Sequence, residues 1–254
     1  MTQPASDRRS VALVTGGGGG IGRAIALKLA ATSAAVAIVD LDEGLGKVTT
    51  DLLQRSGCRS IFIRADVSSS TETAAFVDEV EQRLGPIALL ANNAGIEGVV
   101  APIHEYPDDV FDRLLQVNAK GVFLALKHVL AKMIPRGEGA IVNTASTSAI
   151  RGRAGLAGYV ATKHAVLGLT RVAALDVAGT GIRVNAVLPG PIETRMTRAL
   201  DEQARRASVG LGRSGQAGYG TPESVANVVA FLLSSDASHV NGAAWVIDAG
   251  MTVP

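Results

Sequence analysis

Short apolar runs alternate with segments of helical period along nearly the whole chain. Val11–Val14, Ala35–Val39, Ile61–Ile63, Ile87–Leu90, Ala140–Asn143, Ile182–Val187 and Ala243–Ile247 each read as a buried strand. Between them, apolar residues recur at helical spacing over Arg23–Ala31, Asp42–Ser56, Thr71–Leu84, Pro107–Met133 and Tyr159 to about Ala178, and Thr221-Pro222-Glu223 opens a last helix with a cap and a first-turn proline. Strand and helix in strict alternation predict an α/β domain around a parallel sheet of seven strands. Residues from about 195 to 220 break the rhythm. They alternate charges, carry Gly210, Gly212, Gly215, Gly218 and Gly220, and have little apolar periodicity, so they read as an irregular insertion acting as a substrate lid.

Composition narrows the setting. At 254 residues a single domain spanning 1–254 is the expectation, long enough to bury a large core. Hydrophobic content of 47%, charged content of 19% and a net charge of +1 exclude a disordered chain and give no nucleic-acid footprint. The segment Met1–Arg9 is polar, and no apolar run reaches the roughly 18 residues that span a bilayer. With Cys58 as the lone cysteine, a cytoplasmic protein without membrane association is expected. The four histidines have no metal-ligand spacing, so no metal is expected.

Candidate chemistry gathers where strands end. Val11–Val14 runs into Thr15-Gly16-Gly17-Gly18-Gly19-Gly20-Ile21-Gly22 and then a helix; residues without Cβ let the backbone approach a pyrophosphate, and the helix N-terminus offers free N–H groups. The second strand ends at Asp40, at the distance where a carboxylate meets an adenosine ribose. Its charge would repel a 2′-phosphate and favour NAD over NADP, the more so with Leu41 following and no basic residue in the turn. Asn92-Asn93-Ala94-Gly95 follows the fourth strand, and Ser146 follows the fifth. Tyr159 and Lys163, four apart on a helix, put a phenol and an ammonium on one face, where a fixed cation favours the phenolate and makes the tyrosine a usable acid/base. Asn118, set among apolar neighbours, needs hydrogen-bond partners.

Taken together, Thr15-Gly16 with Gly20-Ile21-Gly22, Asp66, Asn92 to Gly95, Asn118, Ser146, Tyr159 with Lys163, and Pro189-Gly190 ending at Thr194 resemble the short-chain dehydrogenase/reductase family in order and spacing over nearly the whole chain. The resemblance implies a single Rossmann-like, doubly wound domain with helices on both faces of the sheet. It makes Tyr159 the proton donor or acceptor, Lys163 its pKa modifier and a ribose ligand, Ser146 a donor to the reacting oxygen, and Asn118 the holder of a relay water. Asp66 and Val67 would contact adenine, Asn92, Ala94 and Gly95 would line the cofactor, and Pro189, Gly190, Ile192 and Thr194 would border its carboxamide end. The implied partner is a small-molecule alcohol or ketone.

A narrower resemblance, carried by Asn93–Gly98, Asn143–Ser146, Ile150–Gly152 and Tyr159–Arg171, is to bacterial NAD-dependent dehydrogenases of cyclic ketones and diols. Glu97 could reach the substrate side, although its type favours a solvated surface position. Asp248-Ala249-Gly250 departs from the Asp-Gly-Gly common among relatives. The competing readings are a 3-oxoacyl carrier-protein reductase using NADPH and a non-catalytic NAD-binding sensor. The resemblance implies a homotetramer, for which helices near Val110–Met133 and Tyr159–Ala178 supply a motive, carrying apolar residues (Leu126, Val129, Leu130; Val166, Leu167, Leu169, Val172) on more than one face.

Overall fold

The computed structural model describes residues 10–211 and 218–253. Seven strands form one parallel sheet: β1 (Val11–Thr15), β2 (Ala35–Asp40), β3 (Arg59–Arg64), β4 (Ile87–Asn92), β5 (Gly139–Thr144), β6 (Ile182–Pro189) and β7 (Ala244–Ile247), in the order β3-β2-β1-β4-β5-β6-β7. Among the described residues eight α-helices surround it: α1 (Gly20–Leu29), α2 (Glu43–Arg55), α3 (Ser70–Leu84), α4 (Asp108–Leu114), α5 (Gly121–Met133), α6 (Ala157–Asp176), α7 (Arg195–Arg206) and α8 (Pro222–Leu233).

The unbroken apolar runs are explained by burial on both faces. Successive strand residues point to opposite sides. Leu13, Ala37, Leu90, Ile141 and Val184 enter one core with Val77 of α3, Val129 of α5 and Val166 of α6. Val14, Ile38, Ala91, Val142 and Val187 enter the other with Ile25 of α1 and Val229 of α8. From β1 the chain builds outward through β2 and β3, then crosses to β4 on the other side of β1. Such a reversal leaves a crevice at the carboxyl ends of β1 and β4, where open parallel sheets bind ligands.

Two expectations are corrected. The helix expected over Pro107–Met133 is broken: α4 ends at Leu114, Leu115–Lys120 forms a π-helical turn, and α5 begins at Gly121. The cause is tertiary, because the widened turn sets Asn118 to grip the loop after β4. The insertion at 195–220 is not irregular throughout, since α7 occupies its first half. Thr194 caps it by accepting from Thr197 N, and Met196, Leu200 and Ala204 recur every fourth residue within an arginine-rich segment. Gly212 and Gly215, part of that expectation, lie outside the described residues.

The outward apolar face also differs from the expected one. Leu126, Val129, Val166 and Leu167 belong to the core. Val172 faces outward as expected, but its outward companions are Phe123 and Leu175, the latter 76% exposed. Ala249 adopts a left-handed φ of 53°, a conformation natural to glycine, the residue the family resemblance leads one to expect there.

Candidate active site

The glycine turn between β1 and α1 demands its composition. Gly16 and Gly20 sit at φ 63° and 52°, and a Cβ on Gly22 would lie 2.0 Å from the Gly16 carbonyl oxygen. Only with that close approach does the α1 N-terminus open directly above the turn, a cradle suited to a pyrophosphate. Thr15 and Asn92 are buried beneath it. Thr15 Oγ1 donates to Asn92 Oδ1 at 3.3 Å and accepts from Asn93 N at 3.0 Å and Ala94 N at 3.2 Å. Asn92 Nδ2 donates to the Val122 carbonyl and to Asn143 Oδ1, and Asn143 donates on to Thr170 Oγ1. These side chains bolt β1, β4, β5 and α6 together and do not face the crevice.

Asn93 is the residue the sequence reading left without a role. Its Nδ2 donates to the Thr15 and Gly16 carbonyls at 3.3 and 3.2 Å, fixing the glycine turn from across the crevice. An asparagine followed by Ala-Gly at a strand end was the available signal.

Asp40 Oδ2 accepts from Gly18 N at 2.8 Å, and its other oxygen accepts from Asp42 N. Leu41 lies exposed beside it. Two arginines arrive here, one directly after the glycine turn and one from β3. Arg64 stands opposite Asp40 in the β2–β3 register and donates to the Leu41 carbonyl, and Arg23 donates to the Gly18 carbonyl at 2.5 Å and to Thr49 Oγ1. At the end of β3, Asp66 accepts from the Ser68 hydroxyl and backbone and pairs with Arg113 at 3.2 Å. Burial pushes its carboxyl up, but these bonds and the Arg113 charge outweigh burial and hold it below the usual carboxylate range. Val67 packs at the start of α5, within 3.0 Å of where a Gly121 Cβ would stand.

The reacting end is assembled from four elements. Asn118 is fully buried; its Oδ1 accepts from Ile96 N at 2.8 Å, and its Nδ2 donates to the Ile96 carbonyl at 2.9 Å and to Thr162 Oγ1 at 3.3 Å. Gly95 is tucked between this amide and Lys163; a Cβ there would lie 3.2 Å from Asn118 Oδ1 and 3.7 Å from Lys163 Nζ. Lys163 is 5% exposed. Its Nζ donates to the Thr144 carbonyl at 2.9 Å and sits 5.6 Å from the centre of the Tyr159 ring. Burial pulls its pKa down from 10.5 to about 8. Ser146 Oγ accepts from Ser148 N at 3.1 Å, which occupies one lone pair and leaves its hydrogen to donate. Ser146 and Tyr159 line one cleft with Gly190, Pro191, Met196, Thr197, Leu200 and Leu211.

A family model described as Enoyl-(Acyl carrier protein) reductase matches residues 16–252. The chain is 41% identical over 254 residues to 2-(S)-hydroxypropyl-CoM dehydrogenase 3 of Xanthobacter autotrophicus, covering 96% of this chain and 97% of that one. It is 41% identical over 252 residues to levodione reductase of Leifsonia aquatica, covering 95% and 94%. The chain belongs to the short-chain dehydrogenase/reductase family.

As a short-chain dehydrogenase/reductase it is an oxidoreductase of the alcohol and ketone class that uses a nicotinamide cofactor. It is also 38% identical over 242 residues to cyclohexanol dehydrogenase of an Acinetobacter species, covering 95% and 94%. A solved structure of levodione reductase superposes with a TM-score of 0.90 at 37% identity, covering 97% and 99%. Solved neighbours hold either cofactor. NAD+-bound xylitol dehydrogenase matches at TM-score 0.85 and 33% identity, covering 95% and 98%, and a polyketide ketoreductase with NADPH at 0.91 and 35%, covering 97% and 98%. Among the described residues no helix is long and apolar enough to cross a membrane.

Within this short-chain dehydrogenase/reductase, β6 delivers the last wall of the cleft. Pro189 ends the strand, and Gly190 N donates to the Ile247 carbonyl. Ile192 is buried in the α1–α8 core, and Thr194 lies within 3.3 Å of where a Gly20 Cβ would stand, so the residue that caps α7 meets the glycine turn. The segment between is pinned at both stems. Ile192 and Gly220 form a parallel bridge, with Glu193 N donating to the Gly220 carbonyl and Gly220 N to the Pro191 carbonyl. Leu200 and Ala204 of α7 pack with Leu156, Val100, Tyr159 and Val160. Gln203 reaches across, accepting from Val100 N at 3.1 Å and donating to the Gly98 carbonyl.

Proposed function

We propose that the chain is an NAD(H)-dependent dehydrogenase of secondary alcohols, cyclic alcohols and diols foremost, with Ser146, Tyr159, Lys163 and Asn118 as its acid/base set. The observation that carries this reading is Lys163. A buried ammonium within reach of a tyrosine ring, on a cleft that also holds a serine poised to donate, is costly to keep and has a chemical use. The names of levodione reductase and cyclohexanol dehydrogenase support the cyclic substrate.

When bound, the nicotinamide supplies the site that accepts or gives the hydride. The glycine turn, Asp40, Leu41, Asp66, Val67, Ala94, Gly95, Pro189, Gly190, Ile192 and Thr194 form its bed, with Thr15 and Asn92 holding that bed rigid from below. In oxidation Tyr159 removes the proton from the substrate hydroxyl, and in reduction it returns one to the carbonyl oxygen. Ser146 donates to the same oxygen as charge develops there. Lys163 keeps one N–H on Thr144 and directs the others toward the ribose and the tyrosine, favouring the phenolate. Asn118 has its amide committed to Ile96 and Thr162, so a relay water falls to the backbone carbonyl of its widened turn. Residues 195–220 form the substrate lid, seated on Tyr159 through Leu200 and Ala204.

Asp40 favours NAD because its carboxylate occupies the ribose side of the turn and would repel a 2′-phosphate. Arg23 and Arg64 favour the second reading, an NADPH-dependent 3-oxoacyl carrier-protein reductase, since they set positive charge around the same carboxylate. A homotetramer fits two separate apolar faces: Phe123, Val172 and Leu175 on α5 and α6, and Phe231, Trp245 and Val246 on α8 and β7, where the two rings meet at a tilt with centres 5.5 Å apart. A monomeric mass by light scattering would remove that assembly.

Initial rates with NAD and NADP against cyclic secondary alcohols, diols and 3-hydroxyacyl thioesters test the reading. NAD preference with turnover of a cyclic alcohol supports it, while NADP preference with thioester turnover replaces it with the second. Tyr159→Phe should lower turnover by about 10² or more while leaving cofactor affinity within a few-fold. Retained turnover would remove the tyrosine from the chemistry.

A further inference from the structure

Resting on the secondary-alcohol reading, a further feature of the cleft bears on which alcohols it takes. Beside the reacting end lies a second recess lined by Arg151, Gly152, Arg153, Ala154, Gly210 and Leu211. Arg153 and Leu211 border both, so the recess continues the substrate cleft away from Ser146 and Tyr159.

Arg151 is held there incompletely. Its Nη1 donates to the Met251 carbonyl at 3.4 Å, while Nε and Nη2 are buried with no hydrogen-bond partner. Among the described residues it has no carboxylate partner. A guanidinium cannot shed its charge to escape this cost, so a buried N–H pair left open calls for an acceptor. Nε and Nη2 form one edge of the planar fork, the edge that grips a carboxylate with two parallel hydrogen bonds. Arg153 adds a second positive charge to the recess. It is fixed by donating to Ser148 Oγ at 3.0 Å, Thr147 Oγ1 at 3.2 Å and the Leu211 carbonyl at 2.6 Å. Those bonds tie the recess to the turn that follows Ser146.

We propose that this recess binds an anionic group of the substrate, a carboxylate or sulfonate remote from the carbinol carbon, with Arg151 as its bidentate anchor. The enzyme then discriminates among secondary alcohols by a distal negative charge as well as by ring shape.

The test uses 4-hydroxycyclohexanecarboxylate and its neutral carboxamide as paired substrates with NAD, for the wild type, Arg151→Ala and Arg151→Lys. Calorimetric titration of cyclohexanecarboxylate in the presence of NAD runs alongside, and thermal melts check that the variants fold. The wild type should prefer the acid over the amide in kcat/KM by about tenfold or more. Arg151→Ala should abolish most of that preference and the calorimetric binding, and Arg151→Lys should restore the charge without the fork and recover only part of each. Equal use of acid and amide by the wild type, or a preference that Arg151→Ala leaves in place, overturns the anion site. If Arg151→Ala changes the assembly mass and not the preference, Arg151 seats a carboxylate of a second copy and its substrate role is refuted. A wild type that turns over no secondary alcohol removes the dehydrogenase reading, while the titration still decides whether the recess takes an anion.

Discussion

Replacing Lys163 by methionine should make the protein at least as stable while disabling it. The side chain is 5% exposed, and burial lowers its pKa from 10.5 to about 8. At ~1.36 kcal/mol for each unit of pKa, holding the ammonium charged in the fold costs about 3 kcal/mol at neutral pH. Methionine has a similar length and no charge, so that cost disappears. Against it stands the Thr144 carbonyl, which loses its 2.9 Å partner and stays buried, an expense of about 1–3 kcal/mol. The variant should therefore match the wild type or exceed it by up to about 2 kcal/mol.

The pH dependence isolates the charge. Between about pH 8 and 10.5 the unfolded chain keeps a proton on Lys163 that the native chain has lost, so the unfolded state binds more protons and wild-type stability rises with pH from this group. Below about pH 8 both states are protonated and the full penalty remains. The methionine variant has no such group. Urea unfolding of both proteins without cofactor should show the variant's advantage shrinking by about 2 kcal/mol between about pH 7 and pH 9.5. A difference independent of pH would refute the claim that the lysine is held charged against its burial. In activity the same variant should lose cofactor affinity and turnover together, the mark of a strained group retained for chemistry.

Further outcomes follow from other contacts. Asp40→Ala should shift the NADP-to-NAD ratio of kcat/KM toward NADP by about tenfold or more, because Arg23 and Arg64 already flank the position; an unmoved ratio would mean another group reads the ribose. Gln203→Ala removes both bonds between α7 and the loop after β4, and should raise KM several-fold with a smaller change in kcat; steady-state kinetics that leave KM in place would detach α7 from substrate binding. Ala249→Gly should stabilise the fold by about 1 kcal/mol by relieving its left-handed φ, read as a raised midpoint in urea, and a lowered midpoint would contradict that strain.

The inner strands of the sheet were legible because they are buried on both sides. Val11–Val14 and Ala35–Val39 therefore stand out as unbroken apolar runs, and Gly16–Gly22 and the Tyr159–Lys163 spacing carry their own chemical reasons. What escaped depends on residues that meet only in space. The π-helical turn at Asn118 exists to reach Ile96, and nothing within Leu115–Lys120 announces it. Helix α7 hides because Met196, Leu200 and Ala204 are diluted among arginines and acids. Arg64 comes beside Asp40 through the β2–β3 register, so a search along the glycine turn for basic residues missed it. The open edge of Arg151 depends on what surrounds it, which composition does not record.

The bridge between Ile192 and Gly220 has a consequence for how such an enzyme changes its diet. Both ends of the intervening segment are fastened to the frame by main-chain bonds, so their anchoring does not depend on which side chains lie between them. The proposed acid/base residues lie in the turn after β5, on α6 and in the π-helical turn before α5, outside those fastenings. The segment between can thus be exchanged like a cassette, lengthened, shortened or recharged through insertion and drift, provided apolar residues remain where Leu200 and Ala204 pack on Tyr159. A chimera carrying another family member's residues 193–219 should keep its cofactor preference and acquire the donor's choice of alcohol.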